Sequence, residues 1–422
     1  MIPDTPHIPE LLAPAGTPDK LATALRYGAD AVYLGGPDLS LRAKAAGFDM
    51  DALAAACRLA RGYGARVYYT LNILPHESGL DAVRVRLDEL AGLPPDAAPH
   101  ALIVADPGVV RLARLLAPGY SLHLSTQANT SNSEALAFWA DQGVDRVNLA
   151  RELAGPDIAR LAAAGRELGV DVECFVHGAQ CMAISGRCLL GAALNRRSAN
   201  LGLCTQPCRF EYNVRAVELE EKTRPGHTTW QAVSGDGFAA ILSPEDLCLI
   251  QYLGWFGRVG VAALKIEGRM RSEQAMAQTV DAYRGALDGL CAGKMPGQAV
   301  MDELRHAAAR PLGTGFFAAY PRILFSPENT SFQRRDVVGK ITAPHGEGRW
   351  RVAVKGRWDS DIAVEILVPG LRRPQLAPAA YGLENLEGER LGLAHSGMDI
   401  VLACDHPDLA AGYFLRLASL QT

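Results

Sequence analysis

Two hydrophobic periods alternate along the first 290 residues of the chain. A short apolar run, often β-branched, is followed each time by a stretch whose apolar residues recur at helical spacing. The runs "ELLAPA", "AVYLGG", "RVYYTLN", "ALIVAD", "SLHLSTQAN", "RVNLARE", "VECFVHG" and "AALKIEG" read as eight strands. Stretches such as "TPDKLATALRYG", "MDALAAACRLARGYG" and "SEALAFWADQG" read as the helices between them, and "SEQAMAQTVDAYRGALDGL" as a final one. Gly28, Gly64, Gly143 and Gly169 stand where four of these helices should stop. Eight βα units predict an α/β fold, a (β/α)8 TIM-like barrel. An open doubly wound sheet is the alternative. It is weakened by the lack of a G-x-G-x-x-G phosphate loop after the first strand.

The rhythm breaks after the seventh strand. Residues 179–241 form a segment far longer than an ordinary βα loop, placed at the barrel end that carries function. It holds a cysteine-rich block and then a polar stretch, "ELEEKTRPGHTTWQAVSGDG", that reads as a surface excursion or hairpin. Residues 1–295 are thus expected to form the barrel domain and 296–334 a connector. Alternating runs such as "RWRVAVKG" and "MDIVLACD" make 335–422 a small C-terminal all-β, barrel-like domain.

At 422 residues the chain suits one large domain plus a small one. A net charge of −4 provides no global basic field, so any nucleic acid would have to meet a local patch. The start, "MIPDTPHIPELLAPAG", lacks the features of a secretory leader, and no apolar run reaches membrane-spanning length. A cytoplasmic protein without membrane contact is expected. Reduced thiols are the rule there, which turns the cysteines away from disulfides.

Cys181, Cys188, Cys204 and Cys208 lie within 28 residues, spaced C-x6-C-x15-C-x3-C. Zinc ribbons pair their cysteines more tightly. An iron–sulfur cluster accepts uneven spacing. Zinc, and reduced thiols packed in a core, stay open as alternatives on spacing alone. Cys57, Cys174, Cys248, Cys291 and Cys404 fall in regular elements and are expected in the core.

Barrel enzymes display their chemistry at the C-terminal ends of the strands. There the sequence offers Arg42, Asn72, His123, Gln127, Asn129, Glu152, His177, Lys265, Glu267, Arg269 and Arg271, with Arg187 and Arg197 in the cysteine block. Their basic excess suits an anionic ligand. His177, Lys265 and Glu267 are the candidate catalytic groups, and the others are candidate substrate contacts. Buried structural roles are the alternative for both histidines and for the lysine–glutamate pair. No Ser-His-Asp or Cys-His order marks a hydrolase.

Together "ELLAPAG", "YGADAVYLGG", "SLRAKAAGF", "STQAN", "FVHGAQCMAISGRCLL", "NRRSANLGLCTQPCRFEY" and "LKIEGRMRS" resemble the U32 family, long labelled peptidases. The resemblance covers nearly the whole chain and is strongest to the family's prephenate-dependent tRNA uridine hydroxylases. It implies an oxygen-independent enzyme that makes 5-hydroxyuridine at the tRNA wobble position. Prephenate, a dicarboxylate, would donate the hydroxyl. The resemblance further implies an iron–sulfur cluster, expected to be 4Fe–4S, held by Cys181, Cys188, Cys204 and Cys208. The expected macromolecular partner is the tRNA anticodon loop, with room for a partner subunit from the same family. Sister branches hydroxylate ribosomal RNA or the ubiquinone ring. A peptidase and a non-catalytic binding platform are the competing readings.

Overall fold

The computed structural model describes residues 7–41, 47–181, 183–188, 198–204, 246–308, 310–318 and 336–418, and the strand backbones at 219–220, 228–230, 233–235, 238–240 and 323–325. Its larger part is a closed parallel barrel. Strands β1 (Glu10–Pro14), β2 (Ala31–Gly35), β3 (Arg66–Leu71), β4 (Ala101–Val104), β5 (Ser121–Leu124), β6 (Arg146–Asn148) and β7 (Asp171–Ala179) pair in chain order. Strand β8 (Ala263–Ile266) closes the ring, pairing in parallel with β7 and with β1.

Helices α1 (Pro18–Arg26), α2 (Met50–Gly62), α3 (Leu80–Ala91), α4 (Pro107–Leu116), α5 (Ser133–Asp141), α6 (Gly155–Leu168), α7 (Leu253–Val259) and α8 (Glu273–Cys291) accompany the strands. Thr17, Asp49, Asp106, Asn132 and Ser272 start five of them, each side chain accepting from an amide three residues on. One continuous apolar layer joins the outward strand faces to the helices; Val32, Val67, Val147, Val172 and Leu264 meet Leu53, Leu87, Leu161 and Tyr283 within it.

The barrel interior is polar. Glu10 accepts from Tyr68 Oη and pairs with Arg146 at 2.7 Å, and Lys265 Nζ donates to Glu173 at 2.8 Å. A small apolar group, including Leu12, Tyr33 and Ile103, shares the lumen with these charges.

Beyond the end of β6, β7 continues and takes an antiparallel partner, Asp246–Cys248, which brings the chain back from the excursion. Within the excursion the backbone forms two short antiparallel pairs, Leu219–Glu220 with Thr228–Trp230 and Val233–Gly235 with Phe238–Ala240. Inside the segment read as a connector lies a further helix, α9 (Gln298–Ala307), packed along α8.

The C-terminal strands β9 (Val337–Pro344), β10 (Arg349–Val354), β11 (Val364–Leu367), β12 (Gln375–Leu376), β13 (Gly382–Glu384), β14 (Arg390–Leu391), β15 (Asp399–Ala403) and β16 (Phe414–Leu417) form one antiparallel half-barrel, ordered β12-β11-β16-β9-β10-β15-β13-β14. Trp358, Ile366, Leu402 and Leu415 anchor its separate core.

Candidate functional site

The C-terminal ends of the strands are tied together by side chains on their loops. Asn72, just past β3, accepts from the amide of Leu41 at 3.3 Å and donates to Ser125 Oγ, just past β5, at 3.3 Å. Ser125 in turn accepts from the amide of Gln127. Asn72 therefore holds three loops in register, and Gln127 and Asn129 follow on a short turn whose last residue adopts φ 53°.

Arg269 follows β8 and is buried at the same end. Its Nη1 donates to Thr70 Oγ1 at 3.3 Å and to Ser40 Oγ at 3.4 Å. Its carbonyl receives Lys20 Nζ at 3.0 Å. Gly35 makes room for this guanidinium: a Cβ there would sit 2.9 Å from Nη1 and 2.3 Å from Thr70 Oγ1. Arg271, two residues on, pairs with the fully buried Asp246. Glu267 is half-buried, its amide bonded to the His177 carbonyl at 2.8 Å.

Both described limbs of the cysteine block seat on this end. The first, 183–188, lies on the turns after β5 and β6, where Glu152 accepts from Ser185. The second, 198–204, meets the loop after β3 through the Asn200 carbonyl and the Leu74 amide, 3.0 Å apart. Cys181 is exposed, while Cys188 and Cys204 are half-buried, as are none of the core thiols Cys57, Cys174, Cys248 and Cys404. Burial pushes the Cys57 and Cys248 thiols up to about 11, so both stay protonated. Cys291 is exposed at the end of α8. Among the described residues no three His, Cys, Asp or Glu side chains converge on one point as a metal site. Arg42, Arg197 and Cys208 lie outside the described residues. The donor set nonetheless fits an iron–sulfur cluster in kind: three accessible thiols on two limbs at one face, with a fourth cysteine in the same block.

Three sequence candidates sit deeper. Lys265 lies inside the barrel against Glu173, its Nζ 4.6 Å from the centre of the Tyr33 ring. His123 faces the same interior, edge-on to Tyr68 at 4.6 Å. Burial first, then the charges of Arg146 and Lys265, hold it well below the ordinary histidine range. His177 is 3% exposed and packs its ring against Tyr283 of α8. The mouth itself gathers Asn72, Gln127, Asn129, Glu152, Arg187, Glu267, Arg269 and Arg271.

Sequence reasoning missed Glu173, Thr70 and Ser185. The first two were readable from strand alternation: Glu173 shares a parity with Phe175 in "VECFVHG", and Thr70 with Asn72 in "RVYYTLN". Nothing in the sequence distinguishes Ser185 from its polar neighbours.

The chain is 38% identical over 319 residues to tRNA hydroxylation protein P1 of Bacillus subtilis (strain 168), spanning 74% of this chain and 72% of that protein. It is 32% identical over 423 residues to tRNA hydroxylation protein P of Escherichia coli (strain K12), spanning 92% and 91%. It also matches the 23S rRNA 5-hydroxycytidine C2501 synthase of Escherichia coli (strain K12), 32% identical over 67% of this chain and 40% of that protein. Residues 16–324 match the family described as Peptidase family U32. That stretch runs from the loop after β1, through the barrel and the cysteine block, to the strand Ile323–Phe325, and by it the chain belongs to peptidase family U32.

Proposed function

We propose that the protein is an RNA hydroxylase that converts uridine to 5-hydroxyuridine at the wobble position of tRNA, with prephenate as hydroxyl donor. One observation carries the reading: tRNA hydroxylation proteins match 74% and 92% of the chain. Both described limbs of the cysteine block seat on the barrel end that also holds Arg269. The net exchange is uridine C5–H plus donor C–OH giving C5–OH plus donor C–H. Uridine loses two electrons and the donor gains them, so molecular oxygen is not needed.

Cys181, Cys188, Cys204 and Cys208 would hold a 4Fe–4S cluster, which when bound supplies an electron-exchange or Lewis-acid centre at the mouth. The Arg269 guanidinium, oriented by Thr70 and Ser40, suits one carboxylate of a dicarboxylate donor. Arg271 is committed to Asp246 and fixes the turn after β8. Arg187 is exposed on the first limb and is available to phosphate. The uridine must arrive unstacked, as an anticodon loop offers it. His123 and His177 are buried with lowered proton affinity, so both are weak proton acceptors and neither suits the general base that a hydrolytic reading needs.

Nucleoside mass spectrometry of tRNA from a deletion strain, with and without the gene restored, tests the reading. Loss of 5-hydroxyuridine on deletion and its return are expected; an unchanged tRNA profile overturns it. The match to a ribosomal RNA hydroxycytidine synthase favours a second reading, and 5-hydroxycytidine lost from ribosomal RNA in the same strains would select it.

A further inference from the structure

We infer that Ser185, Gly186 and Glu152 form a latch that fixes the first limb of the cysteine block, making Glu152 a positioning residue for Cys181 and Cys188 instead of a substrate contact. The latch stands on geometry alone; its consequence for iron rests on the cluster proposed above.

Ser185 is completely buried, although Cys181, Ile184 and Arg187 around it are exposed. A small polar residue is buried on an exposed loop only when its groups are met, and here they are. Its amide donates to Glu152 Oε1 at 2.5 Å, and its hydroxyl donates to Glu152 Oε2 at 3.3 Å. The hydroxyl oxygen accepts from Arg151 Nε at 3.3 Å. Thr126 Oγ1 stands 3.3 Å away and gives its proton to the nearer Leu149 carbonyl at 2.9 Å. Both Glu152 oxygens are thereby turned to the loop.

Gly186 completes the grip. It adopts φ +80°, and a Cβ there would lie 2.1 Å from the Gln127 carbonyl oxygen. The limb therefore touches the turn after β5 backbone to backbone, while Glu152 holds it from the end of β6. Ser185 is four residues from Cys181 and three from Cys188 (185 − 181 and 188 − 185). With this point fixed, neither cysteine Cα can stray more than roughly 14 Å from it. Without it, the limb is free of the two strand ends that define the mouth.

The test combines two readouts on the full chain. Hydrogen exchange of the metal-free protein reports the latch directly, because the Ser185 amide is protected by a carboxylate. A bond of that kind is worth about tenfold or more in exchange rate. Loss of iron to a chelator after anaerobic reconstitution, followed by visible absorption and iron and sulfide content, reports the consequence. Glu152→Ala should raise exchange in the peptide covering Ser185 about tenfold and speed iron loss by a similar factor. Glu152→Gln, which keeps an acceptor for the amide, should restore part of both, and Gly186→Ala should act like Glu152→Ala by a different route. Thermal unfolding of each variant guards against general misfolding. Wild-type exchange in Glu152→Ala, or faster exchange with iron loss unchanged, overturns the inference. Wild-type protein that takes up no iron refutes the cluster instead, and the exchange arm still decides the latch.

Discussion

His177 ends the most informative strand in the sequence, yet its ring is packed away from water. Its Nδ1 lies 3.4 Å from Tyr283 Oη. Burial first, and the nearby positive Arg271 second, push its pKa down to about 3. The unfolded chain takes up a proton below about 6.5 that the native state refuses until about 3. Native stability therefore falls as the pH drops through that window, by about 1.4 kcal/mol per unit, or about 2 kcal/mol between pH 6.5 and 5. His177→Gln removes this titration. Urea unfolding at pH 7 and pH 5 should show a smaller acid loss in the variant than in the wild type; equal losses would sink the buried-neutral assignment. Lys265 makes the complementary point. "LKIEG" shows that Lys265 faces inward, but its partner is Glu173 on β7, set by the register Ala263↔Glu173 between two strands 90 residues apart. Alternation along one strand reveals which face a side chain takes, not which carboxylate waits there.

At the scale of elements, the sequence was most legible where one face is buried. Seven of the eight barrel strands lie within the runs marked by their apolar pattern and β7 overruns its own by one residue at each end, because each must cover a helix layer on one side. Helix α9 was not read, although Val300, Met301, Leu304 and Ala307 recur at helical spacing. It sits in a segment that reads as a connector, and its buried face also carries Glu303 and His306. Glu303 is met by Arg373 and Arg416, 70 and more residues on, which sequence spacing does not reveal. The break after β7 placed the cysteine block at the correct barrel end, but its contacts were not legible, since they run from Ser185 and Asn200 to loops 33 and more residues away. Gly178 shows how tightly that placement is held from below. It adopts φ +105° near the end of β7, and a Cβ would come within 2.5 Å of the Glu267 carbonyl. Gly178→Ala meets both a disfavoured backbone and a backbone clash, and should cost roughly 2 kcal/mol. Denaturant unfolding measures that cost. A variant as stable as the wild type would mean that β7 and β8 are not in this contact.

At the scale of the whole molecule, the half-barrel is bolted to the barrel through a buried ionic network. Arg416 on β16 is 1% exposed and reaches Glu365 on β11, Gln278 on α8 and Glu303 on α9. Arg373 bridges Glu303 and Asp281, and Asp281 also accepts from the amides of Gly370 and Leu371. Tyr27, at the C-terminal end of α1, donates to the Leu367 carbonyl at 2.7 Å, and Lys340 of β9 pairs with Glu273 of α8 at 2.7 Å. The half-barrel thus grips helices α1 and α8, which flank β1 and β8, so whatever it does for the substrate it does in fixed relation to the mouth. Burial alone would raise the Glu303 carboxyl, but hydrogen bonds and charge from Arg416 and Arg373 outweigh it and hold the group at about 2. Its folded pKa is depressed, so its contribution is complete above about 4.5 and is lost as the pH falls toward 2, amounting to roughly 3 kcal/mol. Arg416→Met removes the same bond at neutral pH and takes a buried guanidinium away from Glu365 and Glu303, Glu303 keeping its bond to Arg373, a loss on the order of 3 kcal/mol. That loss falls on the seam and spares both cores, since Leu402 and Leu415 belong to one and Leu264 and Tyr283 to the other. Calorimetry at pH 7 should then resolve two transitions in the variant where the wild type shows one, and the wild type itself should begin to separate near pH 3. A single transition in Arg416→Met, shifted or not, would place the coupling in the apolar contacts of Val337, Leu367 and Phe414 with the barrel layer and deny it to the ion network.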